Sequence, residues 1–101
     1  MNLGKLYKVK KYFWLLFPTK ETATEVMYRQ RLVAARCING TAAIYLSKRY
    51  NCEVTYFSLD SYIVFLEKDG ALKKVLTTDG LVGWTWFNES YNHCFEEVKT
   101  E

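Results

Sequence analysis

The first hydrophobic stretch of the chain, residues 5–17, alternates between two kinds of side chain. A period of two is typical of a β-strand, because successive side chains point to opposite faces. From Tyr7 onwards the odd-numbered positions are apolar except for Lys11, and the core candidates among them are Tyr7, Val9, Phe13, Leu15 and Phe17. The even-numbered positions form a basic and aromatic row, Lys8, Lys10, Tyr12 and Trp14. The pattern predicts one long or bent strand with its odd-numbered face in the core.

A helix is predicted to start directly after this strand. Pro18 ends the strand because it has no N–H to donate to a ladder. Thr19 can cap the helix, and Glu21 lies where a negative charge interacts favourably with the helix dipole.

Good helix formers then continue to about Tyr50, with Asn51 as a suitable stop. One apolar stripe follows the helical period, at Val26, Val33, Cys37 and Ile44. Asn39-Gly40 interrupts the stretch. We therefore expect a helical hairpin; the alternative is one broken long helix in which the glycine lets the sheet approach closely.

After residue 52 the period returns to two, and turn signals recur regularly, which indicates an antiparallel meander. The predicted strands are Glu53–Ser58, Ser61–Lys68, Ala71–Thr77, Leu81–Phe87 and a short Cys94–Lys99. Asp69-Gly70 and Asp79-Gly80 each join two of them, and this dipeptide favours tight hairpins because both residues tolerate positive φ. Short connections predict that consecutive strands are neighbours.

The fourth of these strands contains two tryptophans. Val82, Trp84 and Trp86 share one side of it, while Gly83 leaves room for close packing on the other side. We expect one indole in the core and leave the other open between the core and an interface.

Together these elements predict the α+β fold class, with an N-terminal strand, a helical hairpin or broken long helix, and an antiparallel meander. The helices are expected to pack on one face of the sheet. At 101 residues the chain has room for one hydrophobic core, so residues 1–101 are predicted to form a single domain. Because 17% of the residues are aromatic, we expect some rings on the surface.

The net charge of +3 conceals an uneven distribution. Residues 1–50 contain ten Lys and Arg residues against two acids, whereas residues 51–101 contain four Lys against nine acids. Such segregation either attracts a polyanion or an acidic protein to one face, or is neutralised where the two halves pack together.

Cys37, Cys52 and Cys94 make an odd number of cysteines whose spacing fits no small secreted scaffold. We expect free thiols in a reducing compartment. The apolar run Tyr12–Phe17 is too short for a signal-peptide core, and no stretch is long enough to span a bilayer. The expected location is the cytoplasm, with no membrane partner.

No motif in the sequence predicts catalysis. His93 and Cys94 are adjacent, and neighbours in a strand point to opposite faces, which disfavours a Cys-His nucleophile pair. The residues that could supply a zinc site are Cys37, Cys52, His93 and Cys94, but the usual paired spacing is missing. The glycines fall in hairpins and form no phosphate loop. We therefore expect neither metal nor cofactor, and not an enzyme.

The basic and aromatic row is the strongest functional feature, and cations of the helical region extend it. The candidate partner-binding residues are Lys5, Lys8, Lys10, Tyr12, Trp14, Arg29, Arg31 and Arg36. Aromatic and Arg side chains anchor protein interfaces, and the same groups bind phosphates and stack on bases. The lysines could equally shield a sheet edge from aggregation.

We accordingly expect a small binding or regulatory protein that acts stoichiometrically on a protein partner, for example as an inhibitor or modulator of a larger enzyme. The alternative is a nucleic-acid-binding protein that uses the basic half. A homodimer formed through an exposed tryptophan is also compatible with the aromatic surplus.

Overall fold

A computed structural model describes residues 1–37 and 39–99. Ile38, which falls in the predicted helical stretch, and Thr100 and Glu101, which fall in the predicted domain, lie outside the described residues. The strands are β1 Leu6–Val9, β2 Phe13–Leu16, β3 Arg36–Cys37, β4 Thr55–Phe57, β5 Tyr62–Asp69, β6 Leu72–Thr77, β7 Val82–Trp86 and β8 Phe95–Glu97. The helices are α1 Lys20–Gln30, α2 Thr41–Tyr50 and a 3₁₀ helix, Glu89–Cys94. The predicted α+β class is confirmed.

The strands form two antiparallel sheets. The larger has the order β7-β6-β5-β1-β8, and the smaller has the order β3-β2-β4. The predicted meander is confirmed for β5, β6 and β7, which pair in sequence through the two Asp-Gly turns. It is wrong at both ends, because β4 pairs with β2 and β8 pairs with β1. Strands β4 and β8 instead pair with N-terminal strands that are distant in sequence.

The predicted single N-terminal strand is also wrong, since residues 5–17 form two strands that belong to different sheets. The chain bends between them at Lys10, Lys11 and Tyr12, and Tyr12 adopts a positive φ of 71°. This bend reverses the alternation. Tyr7 and Val9 of β1 face the same core as Trp14 and Leu16, whose parity in the sequence is opposite.

Strand β2 is buried on both of its faces. Trp14 and Leu16 enter the aromatic core, which comprises Tyr7, Val9, Trp14, Leu16, Ala34, Phe57, Ile63, Phe65, Val75, Phe87, Cys94 and Phe95. Leu15 and Phe17 enter the helix core, which comprises Leu15, Phe17, Ala23, Val26, Ala35, Ala43, Leu46, Val54, Leu72 and Trp86. The predicted surface position of Trp14 is therefore wrong, because its side chain is 0% exposed.

The helical region consists of two helices, as in the predicted hairpin, but their separation spans residues 31–40 rather than one dipeptide. Thr19 caps α1 as predicted, since its hydroxyl accepts a hydrogen bond from the Thr22 N–H at 3.1 Å. Asn51 ends α2 as predicted, and it does so in a left-handed conformation. The predicted apolar stripe is wrong, because Val33 and Ile44 are 65% and 63% exposed.

Gly83 allows the two sheets to approach each other closely. A Cβ atom at this position would lie 2.6 Å from the Phe17 carbonyl oxygen, and Phe17 pairs with Trp84 through backbone hydrogen bonds of 2.7 and 2.8 Å. The predicted close approach at Gly83 is confirmed. Trp86 is fully buried, whereas Trp84 is half-buried. Among the described residues, no helix is both long and apolar enough to cross a membrane.

Candidate partner-binding site

The structure divides the eight predicted site residues among several places. Lys5 precedes β1 and Lys8 lies on it; Arg29 and Arg31 lie at the end of α1. Lys10 and Tyr12 lie in the bend between β1 and β2, and Arg36 lies on β3, which pairs with β2. Trp14 lies in the aromatic core beneath that bend. The predicted continuous row along one strand face is therefore replaced by a cluster around the bend.

This basic–aromatic cluster consists of Lys10, Lys11, Tyr12, Arg36 and Tyr91. The guanidinium carbon of Arg36 lies over two rings, 5.0 Å from the centroid of Tyr12 and 5.8 Å from that of Tyr91. Its Nε donates a hydrogen bond to the Tyr91 hydroxyl at 3.3 Å. Two tyrosines thus hold one exposed arginine by cation–π contacts and a hydrogen bond.

Trp14 supports this arrangement from below. Its ring centroid lies 6.2 Å from that of Tyr12 and 5.9 Å from that of Tyr91, both in edge-to-face geometry. Its indole N–H donates to the Lys11 carbonyl oxygen at 2.8 Å, which ties the bend to the core. Trp14 cannot touch a partner in this position, but it fixes the two rings that hold Arg36.

Backbone pairing explains why Arg36 reaches these rings. In the β2–β3 ladder Arg36 stands opposite Trp14, and paired residues project to the same side of a sheet. The Lys10 N–H donates to the Cys94 carbonyl oxygen at 2.7 Å, which brings the bend against the 3₁₀ helix that contains Tyr91. Three segments that are distant in sequence therefore meet at one place.

The uneven charge is partly neutralised inside the molecule. Lys8 pairs with Asp60 at 3.5 Å, and Lys20 pairs with Asp69, so that basic groups of the first half meet acids of the second half. Arg29 pairs with Glu25 on its own helix at 3.1 Å. The remaining cations of the first half, Lys5, Lys10, Lys11, Arg31, Arg36, Lys48 and Arg49, have no carboxylate oxygen within 4.0 Å among the residues that the structure describes.

The electrostatic state of Arg36 follows from its contacts. The hydrogen bond to Tyr91 raises the pKa of its guanidinium above its usual value. Within the described part of the chain, its two terminal nitrogens donate no hydrogen bond. The cluster therefore presents a permanent positive charge, and the N–H groups of the two terminal nitrogens of Arg36 are unused by the described residues.

His93 and Cys94 lie in the 3₁₀ helix, not in a strand, so the prediction that they point to opposite faces is wrong. The Cys94 sulfur lies 3.7 Å from the His93 Nε2 atom. Burial raises the pKa of the Cys94 thiol above its usual value, against the opposing effect of Lys11 and Arg36. A buried thiol that resists ionisation is a poor nucleophile.

Burial likewise raises the pKa of the Cys37 and Cys52 thiols. In residues 1–37 and 39–99, no group of three or more His, Cys, Asp and Glu side chains is arranged to hold a metal ion. Cys37, Cys52, His93 and Cys94, the only residues that could have supplied a zinc site, are not gathered into one in this part of the chain.

Sequence reasoning missed two members of the cluster. Lys11 is an exception to the alternation, and a charged residue among otherwise apolar alternate positions is itself a signal that the strand bends there. Tyr91 gave no local signal, because its contact with Arg36 joins residues 55 positions apart. No protein-family model matches this chain, and comparisons with curated proteins and with solved structures give no significant match.

Proposed function

We propose that the protein binds a protein partner stoichiometrically through the basic–aromatic cluster, and that the partner presents carboxylates to it. The observation that carries this proposal is the position of Arg36 over Tyr12 and Tyr91 with its terminal nitrogens free. A guanidinium fork suits bidentate contact with a carboxylate, and Arg and Tyr are prominent among interface anchors. Lys10 and Lys11 add positive charge that steers an acidic surface towards the site.

Regulation of a larger enzyme, by inhibition or modulation, is the mode of action that we propose for such a stoichiometric binder. The free thiols of Cys37, Cys52 and Cys94 support a reducing compartment, and we propose the cytoplasm.

Nucleic-acid binding is the second candidate, and the unpaired cations favour it. Lys5, Lys10 and Arg31 could contact phosphates together with Arg36. Base stacking is less well supported, because Tyr12 and Tyr91 each already have a ring face occupied by Arg36. We therefore give priority to the protein partner.

Site-specific photo-crosslinking tests the proposal. A benzophenone amino acid replaces Lys11 in the cluster or, as a matched control, Lys48 on α2, and each protein is irradiated in an extract of its source cells. We expect a protein adduct from position 11 that Arg36→Ala abolishes and that position 48 does not give. Equal adducts from both positions, or an adduct that survives Arg36→Ala, would contradict the proposal.

Labelled single-stranded DNA and RNA separate the second candidate from the first. A binder of nucleic acid loses affinity steeply as salt rises, because counterions are released from the phosphates on binding. Absence of binding at low salt would rule out the nucleic-acid function.

A further inference from the structure

Among the described residues, no strand covers the outer edge of β4 in the smaller sheet. Strand β4 pairs with β2 on one side only. On β2, the Leu15 N–H donates to the Ala35 carbonyl oxygen, towards the β3 side. Because backbone groups alternate along an antiparallel strand, Trp14 and Leu16 turn theirs towards β4.

The direction of each backbone group on β4 follows from this. Thr55 and Phe57 stand opposite Leu16 and Trp14, so their N–H and C=O groups point to β2. Tyr56 lies between them, so its N–H and C=O groups point away from β2, towards the open edge of the sheet. A strand laid beside β4 would pair with this residue.

Polar side chains close the edge on both sides of Tyr56. The Ser47 hydroxyl accepts from the Val54 N–H at 2.9 Å, and the Ser61 hydroxyl accepts from the Ser58 N–H at 3.3 Å. Within the described residues the open edge is therefore one residue long, and an added strand would pair with β4 at Tyr56.

A groove accompanies this edge, which we call the β4 groove. Its middle section has a volume of about 550 Å³, and its lining includes Ile44, Val54, Thr55, Tyr56 and Leu81. Tyr56 also lines a second section of about 470 Å³, and Thr55 and Leu81 also line a third of about 200 Å³. These shared residues make the sections continuous, between β4 on one side and the β6–β7 turn on the other.

The groove is apolar in the middle and acidic at its ends. Asp60 and Asp79 line the second section together with Ser58 and Thr78, and Glu53 lines the third. Asp60 pairs with Lys8 at 3.5 Å, and Asp79 accepts a hydrogen bond from the Thr77 hydroxyl, so part of this charge is offset. The ends of the groove nevertheless carry acidic side chains, whereas the basic–aromatic cluster carries positive charge.

We propose that the β4 groove binds an extended peptide segment of a partner protein, apolar at its centre and carrying a Lys or Arg side chain, added to β4 as a further strand. The backbone of Tyr56 would make the main-chain hydrogen bonds, which is how sheet edges bind extended peptides. Ile44 and Leu81 would contact its apolar side chains, and Asp60 and Asp79 would receive its cation.

The test is selection of short random peptides on the wild type and on two variants of α2. Ile44→Arg places a long cation over the groove, and Tyr45→Arg places the same group on the next helical residue, which does not line the groove. Both positions are exposed, at 63% and 58%, so neither substitution should unfold the protein. We expect peptides with alternating apolar residues and a Lys or Arg, which bind the Tyr45→Arg variant and lose at least about tenfold in affinity with Ile44→Arg.

Two further measurements use the selected peptides. The amide of Tyr56 should become protected from hydrogen exchange when peptide is added. Asp60→Asn combined with Asp79→Asn should weaken binding at least about fivefold, whereas Glu96→Gln on β8 should not. Asparagine preserves the positive φ of 70° at position 60.

Two results of the selection would overturn the inference: no peptide is enriched, or the enriched peptides bind Ile44→Arg as well as they bind the wild type. A dimer of the chain in sedimentation that Ile44→Arg dissociates would also overturn it, because a second copy would then occupy the groove. Enrichment of acidic peptides that depend on Arg36 would instead support the proposed function alone. The two proposals therefore fail separately.

Discussion

The basic–aromatic cluster and the β4 groove are opposite in charge and different in construction. In the cluster the groups proposed to bind a partner are side chains, and the buried indole of Trp14 fixes the rings that hold Arg36. In the groove the group proposed to bind at the centre is the backbone of Tyr56, and side chains line the middle and the acidic ends. The cluster therefore depends on the integrity of the aromatic core, whereas the groove depends on how the two sheets are held together.

Trp14→Ala is expected to have the largest effect on stability, and it tests whether the cluster rests on the aromatic core. It removes a fully buried ring from the aromatic core, so we expect a loss of about 3–5 kcal/mol in the free energy of unfolding, measured by urea denaturation. Tyr28→Ala on α1, where the ring is 73% exposed, should change stability by less than about 0.5 kcal/mol. Equal stabilities of the two variants would contradict the assignment of Trp14 to the core.

Gly83→Ala tests the contact between the sheets. The added methyl group would meet the Phe17 carbonyl oxygen at 2.6 Å, so we expect a loss of about 1–3 kcal/mol from overpacking. The loss should be accompanied by faster amide exchange at Trp84, which pairs with Phe17. Val82→Ala, at a neighbouring exposed residue, should leave that exchange rate unchanged. A wild-type melting curve for Gly83→Ala would show that the sheets are not in this contact.

Lys73 gives a pH-dependent test of the aromatic core. Its ammonium group donates to the Phe87 carbonyl oxygen at 2.6 Å, and burial lowers the pKa of Lys73 below 10.5. Between this lowered pKa and 10.5 the native state binds fewer protons than the unfolded state, so stability contributed at this site rises with pH. We expect the stability of the wild type to increase relative to that of Lys73→Met as pH rises towards 10.5.

Unfolding by urea across this pH range measures the difference between the two proteins, which cancels the titration of other groups. A difference that stays constant or falls with pH would contradict the burial of the Lys73 ammonium group.

The smallest effect is expected at the Lys8–Asp60 pair, which links the basic half to the wall of the groove. Both side chains are partly exposed, so a double-mutant cycle of Lys8→Met and Asp60→Asn should give a coupling energy of about 0.2–1 kcal/mol. Salt should reduce it further. A coupling above about 2 kcal/mol would mean that this pair is less solvated than its exposure indicates.

Local chemistry explains which parts of the fold the sequence predicted. The Thr19 cap and the Asp-Gly turns act within a few residues, and both are confirmed. The pairing of β4 with β2 and of β8 with β1 joins distant residues, so no local pattern indicates it. The double burial of β2 did have a signal, because the uninterrupted apolar run Phe13–Phe17 is typical of a strand covered on both faces.

The candidate site divides in the same way. Tyr12 and Arg36 were identified as basic and aromatic surface residues, but parity alone placed Trp14 beside them on the surface. The positive φ of Tyr12 reversed that parity, and Tyr91 joined only when the 3₁₀ helix folded against the bend. Composition indicated that the cluster would be basic and aromatic, and tertiary structure determined which residues form it.

The proposed anchor for an acidic protein partner is Arg36, which Tyr12 and Tyr91 hold in place. Its most direct test is calorimetric titration of the cross-linked partner, once purified, with the wild type, Arg36→Lys and the control Arg29→Ala. Lysine keeps the charge but lacks the planar fork, so we expect Arg36→Lys to bind at least about tenfold more weakly while Arg29→Ala binds as the wild type does. Undiminished affinity of Arg36→Lys would contradict the account.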